Sequence, residues 1–137
     1  MVFSSIQHAG YLVPDLETAV AWYVNAFGCT YTGGGPATGV AGRIGFVQMG
    51  AAEVELIEPA DKSAFARSTD HIFHHIGYVV EDLDEAITEF RRKGYRFATP
   101  QPMVNAAGYR LIFFDTSYTH GTRVHLTDVR SIGRDHA

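Results

Sequence analysis

The chain has 137 residues, of which 46% are hydrophobic and 19% are charged, proportions typical of a folded globular domain. Its formal net charge of −4 at pH 7 argues against nucleic acids and anionic membrane surfaces as partners. No apolar stretch reaches the roughly 18 residues of a membrane-spanning helix, and the single cysteine, Cys29, excludes an intrachain disulfide bond. A strand pattern begins almost at the first residue and leaves no room for a signal peptide, so we expect a cytoplasmic protein.

The first half of the chain predicts a strand, a helix and then further strands. Runs rich in Ile, Val, Tyr and Leu predict strands over residues 6–13, 44–50 and 53–57. Asp15 is the expected N-cap of a helix, because apolar residues follow it at helical spacing, and Gly28 is the expected C-cap. The glycine-rich residues 33–36 are expected to form a flexible loop.

The second half of the chain predicts the same order of elements. Strands are predicted over residues 74–80, 110–115 and 122–127. Asp82 is the expected N-cap of the second helix, with Glu85 completing a capping box and Gly94 at the C-cap. Residues 59–73 form the expected linker, with one helical turn near residues 63–67, and residues 129–137 form a polar tail.

The two halves share a repeated sequence that begins with a histidine in each copy. Residues 8–23 and 75–90 are identical at seven of sixteen positions, at a fixed offset of 67 residues. The identity indicates two copies of one structural unit within a single domain. The two modules are expected to span residues 5–58 and 74–128. Equivalent strand residues of duplicated units can face one space, so His8 and His75 suggest the beginning of a metal site.

The repeat continues into the last strand of each module, with one change. Val-Glu-Leu at residues 54–56 corresponds to Val-His-Leu at residues 124–126, at an offset of 70 residues. Because side chains alternate along a strand, the Val and Leu of each triplet share one side, which the helices should cover. The other side, which carries Glu55 or His125, is expected to face the partner module.

Four sequence phrases carry a resemblance to a known family. They are the two repeated strands with the acidic caps that follow them, Val-Glu-Leu-Ile-Glu-Pro at residues 54–59, and Gly-Tyr-Arg-Leu-Ile-Phe-Phe at residues 108–114. In this order they resemble the vicinal oxygen chelate superfamily, which includes glyoxalase I, extradiol dioxygenases and bleomycin resistance proteins. Over residues 5–128 the chain looks most like methylmalonyl-CoA epimerases. The resemblance implies an α+β fold, in which paired βαβββ modules form an open eight-stranded cup around a metal site, and a homodimer.

In that superfamily, the first and last strands of each module supply the metal ligands. On this chain, the resemblance implies His8 and Glu55 as ligands from module one, and His75 and His125 from module two. Three imidazoles and one carboxylate suit one divalent Zn, Ni, Co, Fe or Mn ion. His125 occupies a position where most members have glutamate, so a role beside the metal rather than on it stays open. The other histidines are expected to lie outside the ligand set: His71, His74, His120 and His136.

Members of the superfamily bind small-molecule substrates that present a carbonyl group or two vicinal oxygens. The resemblance therefore implies an isomerase or epimerase whose metal acts as a Lewis acid and stabilises an enolate next to a carbonyl, such as that of an acyl-CoA. Epimerases of this kind also carry a base on the strand before the first-module glutamate, but residues 42–48 contain no acid. The candidate catalytic residues are Glu55, Glu53 and Tyr109, with His125 as a further base if it is not a ligand.

Arginines and aromatic residues supply the candidates for substrate binding. Arg43, Arg110 and Arg123 could bind a carboxylate or phosphate group. Arg123 shares the His125 side of its strand by alternation. The alternative is that each of these arginines lies in solvent at the rim. Tyr118 could form part of an apolar wall, although a core role is more common for such residues.

Two other classes of function fit the same resemblance. One is another metal-dependent reaction in the same cup, such as a glyoxalase-like lyase or a dioxygenase. The other is a non-catalytic small-molecule binding protein that sequesters a drug. Binders of that kind lack the ligand set, so the four candidate ligands favour an enzyme.

Overall fold

The computed structural model describes residues 3–128, which form eight strands and two α-helices. In chain order the elements are β1 (Phe3–Leu12), α1 (Leu16–Phe27), β2 (Thr30–Pro36), β3 (Gly42–Met49), β4 (Ala52–Pro59), β5 (Ile72–Val80), α2 (Leu83–Arg92), β6 (Met103–Val104), β7 (Arg110–Phe113) and β8 (Val124–Asp128). The order of one strand, one helix and three strands occurs twice, as the resemblance to the vicinal oxygen chelate superfamily implies. Within residues 3–128, neither helix has the length and apolar character needed to cross a membrane.

One compact unit comprises residues 8–74. Its strands are hydrogen-bonded in the order β2-β3-β4-β1, with β1 parallel to β4 and the other neighbours antiparallel. In this register His8 lies beside Glu53, and Gly10 lies beside Glu55. Because side chains alternate along each strand, His8, Glu53 and Glu55 share one side of this sheet.

Helix α1 covers the other side of the same sheet. The Asp15 side chain accepts a hydrogen bond from the backbone N–H of Thr18 at 2.8 Å, and Gly28 ends the helix in the left-handed conformation at φ 69°. The core of this unit consists of buried apolar residues of the helix and the sheet: Val13, Leu16, Ala19, Tyr23, Cys29, Val47, Val54 and Leu56. Burial of a leucine of this kind contributes about 1.5–3 kcal/mol to stability. Both predicted caps and the predicted helix-facing side of residues 54–56 are therefore confirmed.

The second compact unit comprises, among the described residues, 3–7 and 75–128. Its strands follow the order β5-β8-β7-β6, with β5 parallel to β8. Phe3, at the start of β1, packs edge-to-face against Tyr78 and Phe90 of this unit. The first residues of β1 thus group with the second repeat rather than with the first.

Helix α2 packs on its sheet in the same way as α1. Asp82 accepts a hydrogen bond from the backbone N–H of Glu85 at 3.0 Å, and Gly94 follows the C-cap Lys93 with a φ of 93°. The core of this unit consists of Val80, Leu83, Ala86, Ile87, Ile112, Phe114 and Leu126. Leu126 faces the helix as predicted, so His125 lies on the opposite side of β8.

In both units, a carboxylate near the end of the last strand binds the first residue of the helix. Glu58 Oε1 accepts a hydrogen bond from the backbone N–H of Leu16 at 2.8 Å. Asp128 Oδ2 accepts the equivalent bond from Leu83 at 3.3 Å. Each bond satisfies one of the N–H groups that the first turn of a helix leaves without an intrahelical partner.

An arginine completes this network in each unit, and the two arginines are separated by the 67-residue offset of the repeat. Arg43 donates to Glu17 at 2.7 and 2.9 Å and to Glu58 at 2.9 Å. Arg110 donates to Asp84 at 2.8 Å and lies 3.6 Å from the carboxylate at the end of β8. The duplication therefore preserves a whole cluster of side chains that ties helix to sheet.

The prediction of a flexible loop at residues 33–36 is wrong, because these residues belong to β2 and pair with β3. Glycine is needed there for close packing of the strands, since a Cβ on Gly34 would overlap the backbone oxygen of Ile44. The two-residue strand β6 is too short to leave a sequence pattern. The helical turn expected in the linker is present as a 3₁₀ helix at Ser63–Phe65. The predicted tail, residues 129–137, lies outside the described residues.

Candidate metal centre and active site

His8 and Glu55 are the candidate ligands in the unit of residues 8–74. Both side chains are buried, and His8 Nε2 lies 4.0 Å from Glu55 Oε1. The register partner of Glu55 is Gly10, which adds no side chain beside the carboxylate. Phe46 packs edge-to-face against the His8 ring at a centroid distance of 6.4 Å. The structure thus brings together the two ligands predicted for module one.

A second buried carboxylate, Glu53, lies on the same side of β4 as Glu55. Its Oε2 accepts a hydrogen bond from the Thr32 hydroxyl at 3.2 Å, and this hydroxyl lies 3.3 Å from the backbone oxygen of Phe46. The pairing of β2 shifts between Tyr31 and Gly33, so Thr32 is the extra residue of a β-bulge.

Thr32 is not among the site residues that the sequence predicts, because no strand is predicted directly before the glycine-rich residues 33–36. The preceding run, Thr-Tyr-Thr at residues 30–32, is rich in strand-forming residues and is the signal that could have revealed β2. The contact between Thr32 and Glu53 joins residues 21 positions apart in the chain. A contact of this kind depends on strand register, which the local sequence does not specify.

His75 and His125 are the candidate ligands in the second unit. Both are buried, and their ring centroids lie 5.3 Å apart. Phe113 on β7 packs against the two rings at centroid distances of 5.3 and 5.0 Å. Gly77 is the register partner of His125, and a Cβ at residue 77 would lie 2.6 Å from His125 Nε2. The imidazole therefore occupies space that any residue other than glycine would fill.

The environment of His125 favours its neutral form. Burial, followed by the neighbouring His75, lowers the pKa of His125 to about 3. A neutral imidazole is the form that binds a metal ion through a ring nitrogen. The donor set fits a divalent ion by its chemistry, because three buried histidines offer imidazole nitrogens and Glu55 offers a buried carboxylate. The three histidines are His8, His75 and His125.

The other candidate site residues of the second unit differ in their exposure. Tyr109 is buried directly before β7. The backbone N–H of Tyr109 donates a hydrogen bond to Asn105 Oδ1 at 3.0 Å. Alternation places Tyr109 on the same side of the strand as Phe113, which contacts both histidines of this unit. Arg123 and Tyr118 are exposed in the segment between β7 and β8. They are therefore accessible to a dissolved ligand.

The position of Arg43 does not support the expected contact with a substrate. Arg43 points to the α1 side of β3, whereas Phe46, the register partner of Glu55, points to the other side. Its guanidinium binds Glu17 and Glu58, and these carboxylates raise the pKa of Arg43 above its usual range. This arginine holds the strand against the helix.

The histidines outside the predicted ligand set differ in their exposure within the described residues. His71 and His120 are exposed, and His74 is half-buried next to the buried His75. His120 adopts a positive φ of 56° in the turn before β8. His136 lies outside the described residues.

A family model described as Glyoxalase/Bleomycin resistance protein/Dioxygenase superfamily matches residues 7–113. The chain is 25% identical to the mitochondrial methylmalonyl-CoA epimerase of Homo sapiens, over 88% of this chain and 72% of that protein. It is also 25% identical to an ethylmalonyl-CoA/methylmalonyl-CoA epimerase of Cereibacter sphaeroides, over 90% of this chain and 97% of that protein.

Solved structures share the fold at low sequence identity. Methylmalonyl-CoA epimerase from Mycobacterium tuberculosis aligns with a TM-score of 0.82 at 22% identity, over 92% of this chain and 88% of that chain. A methylmalonyl-CoA epimerase in complex with methylmalonyl-CoA and NH4+ aligns with a TM-score of 0.80 at 22% identity, over 93% and 95% of the two chains. These similarities confirm the predicted α+β fold class with paired βαβββ modules.

Proposed function

Because the chain belongs to the glyoxalase/bleomycin resistance protein/dioxygenase superfamily, we propose that it is a divalent-metal-dependent epimerase acting next to the thioester carbonyl of an acyl-CoA. The family match confirms the resemblance seen in the sequence, and relatives named as epimerases confirm the expectation of an enzyme of this superfamily. The observation that carries the proposal is the set of four buried ligand-type side chains: His8, Glu55, His75 and His125.

We assign one Zn, Ni, Co, Fe or Mn ion to these four side chains. When bound, the ion supplies a Lewis acid that favours negative charge on the carbonyl oxygen of the substrate. Glu55 contributes one negative charge to the set, which leaves a divalent ion with one formal positive charge. A glutamate in place of His125 would cancel that charge, so the histidine strengthens the stabilisation of a negatively charged oxygen.

Two phenylalanines limit the access of water to the proposed ligands. Phe46 packs against His8, and Phe113 packs against His75 and His125. Electrostatic interactions are stronger in surroundings from which water is excluded. The apolar walls therefore support the charge stabilisation that the reaction requires.

Epimerisation also requires the chain to move a proton at the carbon next to the carbonyl. Residues 42–48 carry no acid, so the candidates stay Glu53, Glu55 and Tyr109. All three side chains are buried. If Glu55 binds the ion, the neighbouring carboxylate on the same side of β4 is that of Glu53, which then stays available as a base.

Methylmalonyl-CoA is the first substrate to test, because the relatives are named for it. Arg123 and Tyr118 stay the candidates for contacts with the phosphates and the apolar part of such a ligand. A homodimer and a cytoplasmic location also stay predictions. Light scattering of the purified protein tests the first, and fractionation of cells that produce it tests the second.

Hydrogen exchange with solvent tests the proposed reaction. The protein is loaded with each of the five metals and incubated with methylmalonyl-CoA in D₂O, and the proton on the carbon between the two carbonyl groups is followed by NMR. We expect at least one metal to accelerate the loss of that proton signal, and chelation of the metal to abolish the acceleration. No exchange by protein that holds one metal ion per chain would contradict the proposal.

The same metal-loaded protein can be used to distinguish an epimerase from the other candidate functions. Oxygen uptake with a catechol would indicate a dioxygenase, and isomerisation of a thiol–ketoaldehyde adduct would indicate a glyoxalase-like enzyme. A protein that binds none of the five metals would favour a non-catalytic binder of small molecules.

A further inference from the structure

We propose that Glu53 is the carboxylate that removes the substrate proton, and that Thr32 is the residue that positions it. This inference rests on the proposed function and assigns a role that the sequence left open among several residues. It depends on the side of the sheet that Glu53 occupies, its burial, and its contact with the bulge in β2.

Glu53 lies on the same side of its sheet as two of the proposed metal ligands. It is the register partner of His8 on the neighbouring strand, and it is two residues from Glu55 on its own strand. Only 3% of its surface is exposed. A carboxylate in this position is close to the proposed metal ligands while Glu55 itself serves as a ligand.

The bulge in β2 explains how this carboxylate is oriented. A β-bulge changes the direction of a side chain relative to a regular strand. Thr32, the extra residue of the bulge, donates to Glu53 Oε2 at 3.2 Å. The bond restricts rotation of the carboxylate, as expected for a residue that must meet a carbon acid in one geometry.

The proposed step begins with an oxygen lone pair of the Glu53 carboxylate. This lone pair takes the proton from the carbon next to the thioester carbonyl, and the C–H bond breaks. Its electron pair forms a double bond to the carbonyl carbon, whose oxygen takes the negative charge. Reversal of this electron flow returns a proton to the carbon. Inversion also needs a second proton donor, a hydroxyl or a water, on the other face of that carbon.

Glu53→Gln tests the catalytic role with little change of shape. We expect the rate of deuterium exchange into methylmalonyl-CoA to fall by about 100-fold or more. The zinc content and the melting temperature should stay close to those of the unchanged protein. Exchange within a factor of about two of the unchanged rate would overturn the proposal. So would loss of zinc, because Glu53 would then be a ligand or a support for His8.

Thr32→Val and Thr32→Ser test the positioning role separately. The valine variant removes the hydroxyl, so kcat should fall about tenfold with KM unchanged, and the serine variant should restore most of the loss. Thr30→Val makes the same replacement at another exposed threonine of the same strand and should leave kcat unchanged, because the hydroxyl that binds Glu53 belongs to Thr32. If Thr32→Val and Thr32→Ser had the same kcat as each other, the positioning role of the Thr32 hydroxyl would be overturned. If the unchanged holoprotein shows no exchange, the proposed function itself fails and this assignment fails with it.

Discussion

Gly77 packs so closely against the imidazole of His125 that a Cβ at residue 77 would lie 2.6 Å from His125 Nε2. The two residues are register partners on neighbouring strands. In the other unit, Gly10 is the register partner of Glu55. Each copy of the repeat therefore places a glycine of its first strand beside the proposed ligand of its last strand. The glycine persists in both copies although the ligand changes from glutamate to histidine.

Gly77→Ala should disturb the proposed metal site through this contact. The added methyl group forces the His125 ring to move, so we expect zinc affinity to fall about tenfold or more. Overpacking of this kind also lowers the free energy of unfolding by about 1–3 kcal/mol. Calorimetric zinc titration and chemical denaturation measure the two effects.

A double variant shows whether the contact with His125 causes the loss of stability. In a protein that already carries His125→Ala, the alanine at residue 77 meets no ring and should lower the free energy of unfolding much less. An equal loss in both backgrounds would show that the contact with His125 is not what requires glycine.

His75→Ala and His74→Ala compare neighbouring histidines that differ in burial. His75 is buried beside His125, whereas His74 is half-buried on the other side of β5. We expect the first substitution to lower the zinc content well below one ion per chain and the second to leave it unchanged. Metal analysis of the two purified variants measures the difference, and equal zinc contents would remove His75 from the ligand set.

Glu58→Gln should lower stability in a way that depends on pH. The backbone N–H of Leu16, and after it Arg43 and Lys62, lower the pKa of Glu58. A carboxylate with a lowered pKa stabilises the folded state above the ordinary glutamate value, and this contribution is lost as the pH falls through the lowered value. We expect a cost of about 1–3 kcal/mol at pH 7, because the lost bonds involve a charged acceptor.

Denaturation at pH 7 and in acid measures this dependence. The difference between the unchanged protein and Glu58→Gln should shrink once the pH falls below the ordinary glutamate value of about 4.3. Glu17→Gln is the matched control, because Glu17 binds the same arginine but is largely exposed. It should cost less than Glu58→Gln, because an ion pair in solvent contributes little to stability. A difference that stays constant with pH would contradict the role of the charged Glu58.

The sequence predicted the features that depend on local patterns. The caps Asp15 and Asp82 follow strand-like runs and precede helical spacing, so both helix starts could be placed. The two histidines at the start of the repeat and the central residues of the last strands are all buried. Strand alternation within each repeat is sufficient to predict that the central residue of the last strand points away from the helix.

The parts that depend on contacts between distant residues could not be predicted. The sequence makes Arg43 a candidate for substrate binding, because nothing in the local sequence reveals that Glu17 and Glu58 surround it. The glycines of β2 suggested a loop because glycine usually interrupts strands, whereas here Gly34 permits close approach to β3. Thr32 was missed for the same reason, since its bulge is visible only after the strands pair.

The stereochemistry of the product shows whether the protein is a metal-dependent epimerase. The metal-loaded protein is incubated with a single stereoisomer of methylmalonyl-CoA, and the ratio of the two stereoisomers is followed over time. We expect the ratio to approach an equal mixture with metal and to change no faster than the uncatalysed rate after chelation. A single stereoisomer that persists in the presence of protein holding one metal ion per chain would show that the protein is not an epimerase of this substrate.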